Sequence, residues 1–259
     1  SLSEFENTNE LERLFYIKEQ YPYFKNQFSV KPRFMIASRE DFLFSGLLFE
    51  SDSELILNSN LIITSNLKYS LIDDFDGLFI EPRDTFPNQV RSDIKKYLNE
   101  LGNGISIGRL QLDYYGSNKN HFYKLSGGIF EEMFSGMGIE YVYSPQNSLF
   151  SLGLESFYVK KRDYKMRFSF KDYDNTISRI NFSAFEPKTR ILSNISYGEY
   201  LAGDVGTTYR FTKIFKNNVT FGFFFTFTDV SFDEYGEGSF DKGIYLTIPF
   251  RSFLSSEKN

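Results

Sequence analysis

Between Ser196 and Phe250 the chain alternates. Val219, Phe221, Phe223, Phe225 and Phe227 take every second position, with Thr220, Gly222, Thr226 and Thr228 between them. Successive side chains on a strand point to opposite faces, so this stretch predicts a strand with one continuous apolar face and one mostly small or polar face. The same period runs through the chain after Gly104 and predicts strands at 105–115, 121–130, 137–143, 149–160, 165–171, 177–185, 190–198, 206–214, 218–229 and 239–250. Turn formers separate them: Ser117-Asn118, Pro145-Gln146-Asn147, Asp174-Asn175, Pro187-Lys188 and Asn217-Asn218. Three more strands precede them, at 28–36, 42–56 and 61–71, and Pro32 inside the first marks an edge strand or a strand end. The period breaks once. Val90, Ile94, Tyr97, Leu98 and Leu101 recur at helical spacing and predict a helix over 89–101, within a long connection from 72 to 104.

Alternation sorts the side chains onto two faces. Tyr123, Leu125, Met137, Ile139, Phe150, Leu152, Met166, Phe168, Ile180, Phe182, Phe211, Ile244 and Leu246 share one face with their alternating neighbours. Lys124, Glu140, Glu155, Arg167, Lys171, Arg179, Asn181, Asn194, Arg210 and Thr247 fall on the other. A sandwich meets its apolar faces in the middle, whereas a barrel in lipid turns them outward and lines its lumen with the charges. Periodicity is common to both. Strands of about ten residues that end in aromatic pairs, and a last strand closing on Phe250 and Phe253, favour the barrel.

Composition narrows the classes. The 259 residues suffice for one large all-β domain, and 31 Phe and 18 Tyr suit strands and membrane-interface girdles alike. A net charge of -5 with no basic stripe argues against a nucleic-acid partner. No Cys is present, so disulfides and thiolate metal sites are excluded. No apolar run is long enough for a membrane-spanning helix, although a transmembrane strand needs only about ten alternating residues. With no Met at Ser1, the chain is expected to be a mature form or part of a longer protein.

Longer strings carry more than period. GEYLAGDVGTT at 198–208, TFTDV at 226–230 and GEGSFDKGIYLTIPF at 236–250 closely resemble the C-terminal signature of the YjbH/GfcD family of outer-membrane exopolysaccharide and group 4 capsule proteins. PNQVRSDIKKYL at 87–98, FEEMFSGMGIEYVYSP at 130–145 and KRD at 161–163 resemble family segments in the same order. Glu199 stands where the family is expected to favour Arg, so no role for a cation is transferred to it. The resemblance implies a Gram-negative outer membrane location and a transmembrane, up-and-down antiparallel β-barrel. It divides the chain into a lead-in at 1–26, the barrel at 27–254 and a tail at 255–259. Family members are expected to be much longer and to carry two barrel regions, of which this would be the C-terminal one. The family-motif turns are Gly198, Tyr200, Gly203, Asp204, Gly206, Gly236, Gly238, Asp241, Lys242 and Gly243.

Individual residues give little chemistry. Gly198, Gly203 and Gly206 lack the following helix that a phosphate loop needs and are expected to shape a tight turn, with Asp204 capping it. Glu131 and Glu132 are adjacent, so on a strand they would point apart and could not flank one glycosidic bond; a solvated rim is expected. Glu140 facing Arg167 or Arg179 reads as part of a salt-bridge ladder. The polar lumen is expected to be lined by Lys124, Glu140, Glu155, Arg167, Lys171, Arg179 and Arg210. His121 is the single histidine, which excludes a multi-His metal centre and fits a loop better than a hydrolytic triad. Asp229, Asp233, Glu234 and Glu237 do not match a calcium loop. No cofactor or metal is expected.

Thirteen predicted strands conflict with the even number expected of a single-chain barrel, hence 12 or 14. Counting back from the C-terminus puts 199–206 and 230–238 outside the cell and 72–104, with its helix, in the periplasm. The leading expectation is a non-enzymatic outer-membrane barrel assisting exopolysaccharide secretion or assembly. Its expected partners are outer-membrane lipid, exopolysaccharide and a periplasmic assembly protein. The alternatives are an outer-membrane enzyme acting on lipid or glycan, and a soluble carbohydrate-binding β-sandwich.

Overall fold

A computed structural model describes residues 20–36, 38–80, 90–231 and 240–249. Twelve antiparallel strands form one sheet in which every strand is hydrogen-bonded to its sequence neighbours, in the order β1 to β12. They are β1 (Tyr23–Ile36), β2 (Leu43–Ile56), β3 (Leu61–Asp73), β4 (Ser106–Asn118), β5 (His121–Ile129), β6 (Phe134–Tyr143), β7 (Phe150–Arg162), β8 (Phe170–Glu186), β9 (Ile191–Glu199), β10 (Val205–Ile214), β11 (Thr220–Thr228) and β12 (Asp241–Thr247). The helix is α1 (Ile94–Glu100), extended by a 3-10 turn at Leu101–Asn103 and shorter at its start than its apolar spacing suggests. The all-β, up-and-down architecture and the lower of the two even strand numbers are those expected. Pro32 lies on β1, which is an edge of the sheet, where its missing N–H costs no inner ladder bond. Among the described residues no ladder joins β1 to β12.

The sequence count of thirteen fails at one place. The stretch 165–171 is not a strand: β8 is a single strand of 17 residues, and 163–169 is a closed loop before it. Met166, Phe168 and Phe170 alternate on paper. Met166 nevertheless turns into the core, 0% exposed and at φ 51°, while its carbonyl accepts the Ile107 N–H at 2.9 Å. The Asp163 N–H bonds to the Ser169 carbonyl at 2.9 Å and closes the loop.

Losing that strand reverses the parity of everything before it. The connections 57–60, 119–120, 144–149, 187–190 and 215–219 are short and lie at the end of the sheet that holds the start of β1 and the end of β12. The connection carrying α1, between β3 and β4, lies at the opposite end, with 200–204 and the β11–β12 connection. The opposition expected between 72–104 and 199–206 is thereby corrected.

The two faces separate as the alternation predicts. Met137, Leu154, Ile180, Phe223, Ile244 and Leu246 all stand exposed on one face, Met137 at 65% and Ile244 at 77%. The other face is polar and curls around contents. On β2 it buries Phe44, Leu48 and Glu50, and against it lie Phe75, Leu78, Tyr97, Leu98, Leu101, Met133, Phe134, Val159 and Met166. This core sits at the α1 end only. It is the stripe Ile94, Tyr97, Leu98 and Leu101 that seats the helix there, as an amphipathic helix buries its apolar side.

Candidate functional site

Three sequence segments far apart in the chain interlock at the α1 end. Arg91, just before the helix, grips the Glu131 carboxylate with both amino groups, at 3.0 and 2.7 Å. Asp93 forms a buried ion pair with Lys161, at 2.7 Å, and the Tyr97 hydroxyl donates to the Arg162 carbonyl at 2.6 Å. Arg162 itself is 0% exposed. Its guanidinium donates to the carbonyls of Ile107 at 2.8 Å, Glu131 at 2.7 Å, Glu132 at 3.1 Å and Arg167 at 3.0 Å, with no carboxylate partner among the described residues. A planar fork with five donors suits such a place better than an ammonium. The segments PNQVRSDIKKYL, FEEMF and KRD are therefore parts of one joint, which ties β7 and the β5–β6 turn to the helix.

The joint aims Glu132 inward. Lys68 on β3 binds it at 2.5 Å and Arg33 on β1 at 3.1 Å, across the space the curled sheet encloses. Burial would raise the Glu132 carboxyl, but Lys68 and Arg33 outweigh it and hold it below the ordinary carboxylate range. A second clamp holds the helix from the β1–β2 connection: Lys95 bonds Glu40 at 2.6 Å, and the Ile80 N–H donates to Glu40 at 2.6 Å. Burial opposes the ionised form of Glu40, yet Lys95, the Ser38 hydroxyl and that N–H bring its pKa to about 2. Tyr97 is shifted upward, first by burial and then by the nearby Asp93.

Beside the joint an open cavity of about 980 Å³ runs along the inner faces of β1–β4. Register sets its polar floor. Gln27, Asp52, Asn66 and Arg109 stand in one row across the four strands, and Lys25, Glu54, Thr64 and Gln111 in the next. Lys31 bridges Glu50 at 2.7 Å and Asp52 at 3.2 Å, and the Asn66 amide donates to Asp52 at 2.6 Å. Ile94, Phe130 and Met133 bound it on the helix side.

The residues expected to line a lumen divide. Lys124, Glu140, Glu155 and Arg179 stand opposite one another on β5, β6, β7 and β8. The two adjacent glutamates are each answered from outside: Lys124 bonds Glu140 at 3.1 Å and Arg179 bonds Glu155 at 2.5 Å. The partner expected for Glu140 is thus replaced, because Arg179 lies directly across from Glu155. Lys171 turns its ammonium onto the Tyr164 ring at 3.5 Å. Arg167 is not on a strand and contributes its carbonyl to Arg162; Arg210 sits over the Phe224 ring at 5.9 Å. Glu131 and Glu132 lie in the β5–β6 turn rather than on a strand and take different cations, and Glu132 is no solvated rim: its side chain is 14% exposed and doubly paired.

Of the motif turns, Tyr200 and Gly203 close a tight turn, with Tyr200 N–H donating to the Asp204 carbonyl at 2.7 Å and Gly203 at φ 88°. Asp204 is shifted upward, mainly by burial, with Glu199 and Asp229 adding to it. Gly198 and Gly206 lie on β9 and β10, within the strands predicted at 190–198 and 206–214 and flanking the motif turn rather than in it. A Cβ at Gly198 would fall 2.0 Å from the Ser178 carbonyl oxygen, so glycine is required by a close strand approach. Asp241, Lys242 and Gly243 likewise belong to β12; Gly236 and Gly238 lie outside the described residues, as do Asp233, Glu234, Glu237, Phe250 and Phe253. His121 opens β5, where its Nδ1 shares a hydrogen bond of 2.6 Å with the Tyr141 hydroxyl beside Tyr143. Among the described residues, no group of three His, Cys, Asp or Glu could hold a metal.

The family model described as exopolysaccharide biosynthesis protein YbjH matches residues 3–259. The chain belongs to the YjbH family. The uncharacterized lipoprotein YjbH of Escherichia coli K12 is 33% identical over 228 residues. That match covers 85% of this chain and 32% of the relative, so the chain spans about one third of that relative's length. Among solved structures, the outer membrane protein OmpT of Vibrio cholerae is 9% identical and covers 88% of this chain and 95% of its own, at a TM-score of 0.24. That likeness is too remote to bear on either fold or function.

Sequence reasoning missed the weight of Arg33, Lys68 and Arg162. Charged residues at alternate positions on β1 and β3 were the available signal for the first two; for Arg162 only the KRD string marked the place.

Proposed function

We propose that this chain closes β1 onto β12 as an outer-membrane β-barrel, and that it serves exopolysaccharide secretion or assembly without catalysing a reaction. One observation carries the reading: the sheet is inside out, with its large apolar side chains exposed on one face and its ion pairs enclosed by the other. In water each such exposed Phe, Leu or Ile would forgo roughly 1.5–3 kcal/mol of burial, whereas lipid supplies that environment. Strands of nine residues or more, as nearly all of these are, suffice to cross. With the termini in the periplasm, the short connections face the periplasm and the α1 joint faces outward, the asymmetry usual in bacterial barrels. The helix then closes part of the outer end, and a periplasmic partner would meet the short turns instead.

The family description supports the link to exopolysaccharide. The test is membrane fractionation of the full-length protein with gel migration before and after heating. Recovery in the outer membrane with heat-dependent migration is expected; recovery of a detergent-independent, heat-indifferent protein would refute it.

A further inference from the structure

Among the described residues, charge accounting in the cavity along β1–β4 leaves one cation over. Arg33 and Lys68 share Glu132, Arg91 is taken by Glu131, and Lys25 faces Glu54 at 3.8 Å. Asp52 is held by Lys31 and Asn66. Arg109 remains. Its Nε donates to the Phe130 carbonyl at 3.2 Å, which fixes the plane of the guanidinium, while its two amino groups have no protein partner among the described residues. A guanidinium anchored through one nitrogen and open on the other two is set for a bidentate carboxylate.

The surroundings of Arg109 suit a polyhydroxylated ligand. Gln27, in the same row, has an amide with no described partner. In the next row the Thr64 hydroxyl is buried with none. Apolar surface comes from Phe130, whose ring is held edge-on by Phe157 at 5.8 Å. Donors and acceptors at several levels, one free cation and a small apolar wall are what an acidic sugar unit offers counterparts to: ring hydroxyls, one carboxylate and a C–H face. A volume of about 980 Å³ accommodates several sugar units.

We infer that this cavity binds a segment of an acidic glycan, with a uronate-type carboxylate on Arg109 and hydroxyls toward Gln27 and Asp52. The inference rests on the proposed role in exopolysaccharide handling and names the ligand class of that role.

The experiment is calorimetric titration of the full-length protein in detergent micelles with a hexamer of galacturonic acid, and with maltohexaose as the neutral counterpart. Saturable binding of the acidic hexamer is expected, at least tenfold weaker for maltohexaose and weakened at least tenfold by Arg109→Ala. Arg210→Ala, on a distant strand, should leave it unchanged. Heat-dependent migration of each variant reports that it still folds. No binding of the acidic hexamer by folded protein, equal binding of both hexamers, or equal loss in the two variants would each overturn the site. Any of these results leaves membrane location, measured separately by fractionation, standing or falling by itself.

Discussion

The two sides of this sheet are built from the same alternation yet hold different interiors. Over β1–β8 the inner face carries charges that pair with one another and with the α1 connection: Glu132 with Lys68 and Arg33, Asp93 with Lys161, Glu155 with Arg179. Over β9–β12 the inner face carries hydroxyls and rings. Tyr200, Thr208 and Thr226 pass a chain of hydrogen bonds at 2.6 and 2.8 Å, Thr212 bonds Tyr245, and Arg210 lies exposed over Phe224. The difference teaches where specificity resides. A period of two is enough to place a strand, but among the described residues only the first side has an element inserted into it, and that is where three of the family strings meet.

If the joint is what distinguishes the two sides, its centre should be the most sensitive point. Replacing Arg162 by Met strands four carbonyls and should cost roughly 5 kcal/mol or more, since each buried group left unpaired costs about 1–3 kcal/mol. Denaturant unfolding of the reconstituted protein measures it, and a loss under about 1 kcal/mol would remove the distinction. Next comes the buried pair: Asp93→Ala or Lys161→Met alone should cost about 3–5 kcal/mol, and the two together less than the sum, because each single change takes the ion-pair partner from a buried charge. A double-mutant cycle reads the coupling.

Acid should open the joint. The Glu132 carboxyl lies below its ordinary range, so its contribution is complete above the unfolded value of 4.5 and is lost as pH falls through the lowered folded value. Protease cleavage at 130–133, followed against pH, should rise in that acid window. In Glu132→Gln the step should vanish, at a cost of about 1–2 kcal/mol at neutral pH. The Glu40 carboxylate gives up its clamp only as pH falls toward about 2. Smallest of all, Arg210→Ala on the hydroxyl-lined side should stay within about 0.5 kcal/mol, since the side chain is exposed and has a ring contact but no ion pair described.

Much of this was legible in the residues. The strands from Val219 onward, the two faces and the Lys124–Glu140 neighbourhood follow from period two, which fixes sidedness once strands are adjacent. The loop at 163–169 was not legible. Met166 and Phe168 fit the alternation, and the buried guanidinium of Arg162, gathering carbonyls from two connections and a strand, makes a turn there the better arrangement. The joint was half legible: its strings stood out as PNQVRSDIKKYL, FEEMF and KRD, but their contacts join residues as far apart as Asp93 and Lys161, which no local pattern encodes. The charged cavity floor was hidden for a different reason. Lys31, Asp52 and Asn66 look like ordinary polar strand positions until the register of β2 and β3 sets Asp52 opposite Asn66 and Lys31 reaches along β1 to the same carboxylate.

The central claim is that the apolar face meets lipid and the charged face is enclosed. The chain has no cysteine, so single cysteines can be placed and spin-labelled one at a time. At Leu152, Leu154, Phe223 and Leu246 in liposomes, collision with oxygen should exceed collision with a water-soluble nickel chelate. At Glu155, Arg179, Gly222 and Thr226 the order should reverse. The same order at both sets would contradict the account.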